Sequence, residues 1–308
     1  MPEPFSRPAK FAAILAALVV LVALPLATWA SSTDPNARHQ VAPQWVAPTA
    51  VPGFYAARDN RNVDPLTYGV IGAHQTFYWD ALEPYEGKYD WSKVDYFISR
   101  SNGAGKRVSL QIVTFNGRAN QGSDDPAMHV PQWVFNAGAG KVTCPDGFQI
   151  PEYWNTIYKT KYNNFIKALA RKYDGNPVIE YIQLGVGKYG ETQPCDDADD
   201  AAVLAAMKAD GLTEYSWPYV VNEIVDMYAD AFKHTTLVLP CAPTFGVESM
   251  RRQWIDHAIS RGVGLFNAAL YADLEWVDLR TKPNWDGVGK FDRILDNGFR
   301  NITSSTKP

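Results

Sequence analysis

From about residue 50 onward, short apolar runs alternate with longer stretches of helical periodicity, and this alternation constrains the fold more than any other feature of the sequence. Six runs read as strands: PGFYAARD (52–59), VIGAHQTFYW (70–79), KRVSLQIVTF (106–115), VIEYIQLGVG (178–187), TTLVLPCAP (235–243) and GVGLFNAALY (262–271). Most are continuously apolar, as expected where both faces of a parallel sheet are covered. Between them lie helical patterns. Ser92 stands where it caps a helix carrying Val94, Phe97 and Ile98, ending near Gly103. Tyr158, Tyr162, Phe165, Ile166, Leu169 and Tyr173 form one apolar stripe that stops before Gly175. Ser216 and Pro218 open a third helix, and a further one runs from about Val247 to Arg261. No G-x-G-x-x-G follows the first strand and no G-x-x-x-x-G-K-[ST] occurs, so a doubly wound nucleotide fold is disfavoured. No heptad or solenoid repeat is present. The expectation is α/β, of the (β/α)8 TIM-barrel type, with about six strands present.

At 308 residues the chain has room for one such barrel, which takes about 250. Arg7 and Lys10 precede the apolar run FAAILAALVVLVAL, and small residues at Thr28 and Ala30 permit cleavage after Ala30. Residues 1–30 therefore read as a signal peptide. The competing reading is an uncleaved anchor, since residues 11–30 are just long enough to span a bilayer. Either way the folded part is expected outside the cytoplasm, secreted or anchored. Residues 31–48 read as a linker and 49–308 as the barrel. Of the three cysteines, Cys144 and Cys195 fall in loop segments and are the preferred disulfide pair, while Cys241 in TTLVLPCAP reads as a buried thiol. A net charge of −4 without a basic run argues against a nucleic-acid partner.

The stretch 78–91, YWDALEPYEGKYDW, resembles the segment W-x-x-L-E-P-x-x-G-x-Y-D-[WF] of barrel glycoside hydrolases, above all the family 42 β-galactosidase-like group of the large clan of retaining (β/α)8 enzymes. Trp79, Leu82, Glu83, Pro84, Gly87, Tyr89, Asp90 and Trp91 all match. Individually they read as structural, Glu83 and Pro84 shaping a turn and Trp91 packing the next helix. The stretch ending VIEYIQLGVGKYGET is similar to the fourth strand of that clan and the helix before it. The resemblance implies that Glu191 is the acid/base. Gly190 stands before it where the clan usually has Asn, so another group must hold the sugar 2-hydroxyl.

The residues support Glu191 independently, because barrel active sites are built where strands end at the C-terminal face. Desolvation by Tyr189 and other aromatics would keep such a carboxyl protonated until it donates to a leaving glycosidic oxygen. Trp79, Trp133, Tyr189 and Tyr271 are candidate sugar-stacking rings by their place near strand ends. His74, Asn116 and Asn267 are candidates for binding hydroxyls, and Arg118 for supporting a carboxylate pair. The acids of CDDADDAAV lack the spacing of a calcium loop and read as charges offsetting the dipole of the helix that runs to Lys208. No zinc spacing occurs, and no cofactor is implied.

The sequence thus predicts a glycosidase acting on a β-linked oligo- or polysaccharide by a retaining mechanism. A non-catalytic carbohydrate-binding barrel is the alternative. A serine hydrolase lacks its G-x-S-x-G elbow. The clan's nucleophile ends the seventh strand, whereas the sixth apolar run here is followed only by polar and helical patterns. This leads to the expectation of a barrel that stops before its nucleophile and of a chain that is inactive as it stands, with oligomeric state left open. Glu275, beside Trp276, comes one strand too early, and Glu180 begins its strand, at the wrong face.

Overall fold

The order of pairing in the sheet separates the two parallel α/β architectures. In the computed structural model, which describes residues 55–57, 69, 71–117, 127–242, 244–245 and 248–267, six strands lie side by side in the order in which they occur. They are β1 (Tyr55–Ala57), β2 (Gly72–Tyr78), β3 (Arg107–Val113), β6 (Ile179–Gln183), β7 (Thr236–Cys241) and β8 (Gly264–Asn267), and every pairing is parallel. A doubly wound sheet reverses its order at a switch point. This one never does, which is the winding of a barrel. Among the described residues the sheet has six strands, with β1 and β8 at its edges. All six fall within the runs expected from the sequence.

The connections are α1 (Trp79–Leu82), α2 (Ser92–Gly103), α3 (Gln132–Asn136), α4 (Thr156–Tyr173), α5 (Ala201–Ala209), α6 (Trp217–Ala231) and α7 (Glu248–Ser260). An antiparallel hairpin, β4 (Lys141–Thr143) with β5 (Gln149–Pro151), stands apart from the main sheet. Asn155 caps α4, accepting from the backbone N–H of Ile157 at 2.9 Å. Asp200 does the same for α5 through Ala202 and Val203, so the last acid of CDDADD stands at the start of that helix as expected. Ser92 is not a cap. It is the first residue of α2 after Trp91, and its N–H is taken by Asp90. Among the described residues no helix is long and apolar enough to cross a membrane.

The two faces of the sheet differ. Ala73 and Phe77 of β2 and Val108, Leu110 and Ile112 of β3 are buried against the helices. Their neighbours on the other face are polar and pair across the strands in register: His74 with Ser109 at 2.7 Å and Thr76 with Gln111 at 3.2 Å. A register shift between Val108 and Ser109 brings Tyr181 and Gln183 onto the same face. The runs that look uniformly apolar in sequence therefore line an inner face able to make hydrogen bonds.

The outer face packs on a band of aromatic rings. Trp79 is fully buried, with Tyr162 at 5.0 Å, Tyr158 at 5.7 Å, Phe165 at 5.8 Å and Trp133 at 6.1 Å between ring centroids. Three polar groups in this layer close a ring of hydrogen bonds around one residue. The Tyr162 hydroxyl donates to the carbonyl of Gly185, the N–H of Gly185 donates to the Tyr228 hydroxyl, and Tyr228 therefore donates to Tyr162. A side chain at 185 would meet the carbonyl of Ile112 at 2.1 Å, so only glycine lets this segment lie so close to β3.

Candidate active site

Gly185 begins the segment that carries Glu191, and the helix layer holds that segment at several further points. Trp217 donates to the carbonyl of Thr192 at 2.8 Å and Tyr153 to that of Pro194 at 3.0 Å. From the sheet side, Tyr189 N–H reaches the carbonyl of Phe115 beyond β3, and Thr192 N–H reaches Pro240 of β7. Gln111, reaching up from the inner face, donates to the carbonyl of Tyr189 at 2.9 Å. The turn doubles back on itself, with Gly187 N–H bonded to the carbonyl of Glu191 and Lys188 N–H to that of Gln193. Tyr189 at φ 54 and Gly190 at φ 79 both take the left-handed conformation that this reversal requires. Glycine at 190 also leaves room for the Gln111 amide, 2.6 Å from where a Cβ would lie. Here is a reason for the departure from the clan's usual Asn.

Glu191 thus stands beyond the C-terminal end of β6, half-buried, on a turn tied to β3 and β7. Burial pushes its carboxyl above the usual carboxylate range, against the opposing effects of the Gln193 amide, which donates to it at 2.9 Å, and the Lys188 ammonium. The carboxylate is felt at the end of β7, where burial first and Glu191 second push the Cys241 thiol up to about 12. Lys188 pairs with Asp196 and lies 4.8 Å from the centre of the Tyr189 ring. A cleft of about 620 Å³ opens beside Gln193, with Asp146, Asp197, Asp199 and the buried Thr244 in its walls.

A second group gathers above β2 and β3. Asn116, buried just beyond β3, donates its amide to the Tyr78 hydroxyl and to Nε2 of His129, each at 3.1 Å. That leaves the imidazole proton on Nδ1, which faces the Asp80 carboxylate at 3.2 Å. The Tyr78 ring stacks on the imidazole with centroids 3.7 Å apart. Tyr78, Asp80, His129 and Gln193 escaped the sequence reading, because spacings of this kind carry no motif.

Of the expected site residues, Tyr189 shares a turn with Glu191, and Asn116 lies at its strand end with its amide engaged by Tyr78 and His129. Three need correction. Trp79 offers no face to a sugar, since its ring is wholly inside the core and its indole N–H is bonded to Glu83 at 2.8 Å. His74 is not at a strand end but third in β2, between Ala57 and Ser109 in register, where burial lowers its imidazole to about 4. Trp133 donates to the carbonyl of Glu83 and lines a groove whose walls include none of Glu191, Tyr189 and Gln193. Asn267 ends β8 in register with Cys241. Arg118, Tyr271 and Glu275 lie outside the described residues. Cys144 and Cys195 are buried and not joined in a disulfide. Cys144 instead closes the β4–β5 hairpin, its backbone bonded to Gly147 and Phe148.

Residues 70–200, which hold both groups, match the β-galactosidase family, glycoside hydrolase family 42. That segment is similar to glycoside hydrolases and makes up less than half of the chain. Solved structures that resemble the chain include the following three. The catalytic domain of β-amylase from Paenibacillus polymyxa shares 12% identity over 75% of this chain and 83% of its own, with a TM-score of 0.47. β-Galactosidase from the psychrophilic Marinomonas ef1 shares 11% over 68% of this chain and 38% of its own, TM-score 0.42. Endo-glycoceramidase II from Rhodococcus sp. shares 13% over 76% and 56%, TM-score 0.38. The chain thus spans less than two thirds of the latter two. No curated protein matches the chain.

Proposed function

We propose that the protein hydrolyses O-glycosyl bonds of a β-linked oligo- or polysaccharide outside the cytoplasm, with Glu191 as general acid and then base of a retaining mechanism. One observation carries the reading: within the family-matched residues, a carboxyl at the C-terminal end of the fourth main-sheet strand is raised by burial. A protonated Glu191 gives its proton to the departing glycosidic oxygen, and its carboxylate then takes one from the water that releases the sugar. Lys188 and the Gln193 amide oppose the upward shift, keeping the group able to lose its proton within the cycle. A retaining mechanism needs a second carboxyl about 5 to 5.5 Å away. Among the described residues, the groups that shift Glu191 are Gln193 and Lys188, and neither is a carboxylate. The second reading is a barrel that binds carbohydrate without cleaving it. Release of reducing sugar from a panel of β-linked oligosaccharides decides between them: turnover supports the hydrolase, and binding without turnover by the wild-type chain supports the alternative.

A further inference from the structure

We infer that the groove on the outer side of α4 is an accessory binding site for an acidic glycan, one that carries carboxylate or sulfate groups. Lys161, Asn164, Lys167 and Arg171 follow one another along α4 at spacings of three and four, which sets them on one face of the helix. The turn from Glu83 to Tyr89, with Trp133, forms the opposite wall and encloses a cavity of about 270 Å³. That is small for a ligand site and suits a short stretch of a longer chain running over the surface. The cations are not all spent. Lys161 is paired with Glu86, whereas Lys167 and Arg171 have no carboxylate partner among the described residues.

Of the two acids that line the groove, Glu86 is taken by Lys161 and Glu83 does not compete for the other cations. Glu83 is 2% exposed, with its oxygens taken by the Trp79 indole and the Gly87 N–H at 2.8 Å each. The indole N–H of Trp133 is committed to the Glu83 carbonyl at 2.9 Å, which fixes a half-exposed ring at the edge of the cavity. Tyr89 beside it is held by stacking on Trp91 at 5.2 Å. Rigid aromatic surface suits the apolar face of a sugar ring, and an uncommitted guanidinium accepts a carboxylate or a sulfate in its planar fork. The protein as a whole carries a net charge of −4, so a general excess of basic residues does not account for the groove. It shares no wall residue with the cleft beside Gln193. A polymer held here would raise the local concentration of cleavable bonds without occupying that cleft.

Affinity electrophoresis of the full chain and of the double variant Lys167→Glu/Arg171→Glu, in gels containing polygalacturonate, dextran sulfate or neutral dextran, tests the assignment. Wild-type protein should be retarded by an acidic glycan and not by dextran, the retardation falling between about 0.05 and 0.5 M salt. In the double variant the affinity should drop by roughly tenfold or more, with the thermal midpoint preserved. Retardation by polygalacturonate alone identifies carboxylate as the recognised group, by dextran sulfate alone sulfate, and by both either anion. No retardation, retardation that the double variant keeps, or binding to anionic lipid vesicles in place of glycan overturns the proposal. Because the assay needs no turnover, a Glu191→Gln chain should bind as the wild type does, and failure of the hydrolase reading leaves this result intact.

Discussion

A single carboxyl does the work of acid and base only if its surroundings hold its pKa between the two tasks, and around Glu191 the opposing influences are named: burial raises it, while Gln193 and Lys188 lower it. An acid catalyst is active when protonated, so kcat/KM should fall as pH rises through this pKa. Replacing Gln193 by Ala removes a donor that favours the carboxylate, so the pKa rises further and the alkaline fall in kcat/KM moves to higher pH. An unmoved pH profile would show that the amide does not tune the acid. His74 makes the complementary case for stability. Its imidazole titrates near 4 when folded and near 6.5 when unfolded, so below about 6.5 the unfolded chain binds a proton that the folded one does not. Stability should therefore decline as pH falls between those values. Urea midpoints of His74→Gln measured from pH 7 to pH 4 should show a shallower decline than wild type; parallel curves would remove His74 as the cause.

At the scale of elements, the aromatic layer ties the sheet to the site. Trp79→Ala empties the centre of a cluster of five rings and should cost about 3–5 kcal/mol in chemical denaturation. Asn155→Ala removes only the cap of α4 and should cost about 1 kcal/mol. A loss at Trp79 no larger than that at Asn155 would mean the layer is not the keystone its packing suggests. The strands were legible because continuous apolar runs have few other uses, and α4 because its stripe repeats at helical spacing. The inner face was not, since His74, Thr76, Ser109 and Gln111 sit singly among apolar residues and become a polar surface only once register pairs them. Trp79 misled for a related reason. A residue following a strand is near the mouth, but its side chain can turn outward, and here α1 sends the ring into the helix layer. Glu191 was visible as the acid at a strand end, whereas its partner Gln193 and the Asp80–His129–Asn116–Tyr78 group depend on contacts that no local pattern encodes.

For the whole molecule, an alternating α/β chain led by a signal-like segment fits a protein exported to meet its substrate. Protein recovered from outside the cytoplasm should begin at or near Ser31; recovery of the intact Met1 form from the soluble cytoplasm would contradict export. Turnover by the wild-type chain would also answer the expectation that its nucleophile is missing. Proton transfer from Glu191 to the leaving oxygen of a glycoside is read from kcat/KM of wild type and Glu191→Gln on aryl β-glycosides of graded leaving-group acidity. A poor leaving group needs the proton and a dinitrophenolate does not. The loss should be roughly 10²- to 10⁴-fold on the poorest leaving group, shrinking toward none on the dinitrophenyl glycoside. No loss, a loss that is the same for every leaving group, or a wild-type chain that turns over none of them would contradict that proton transfer.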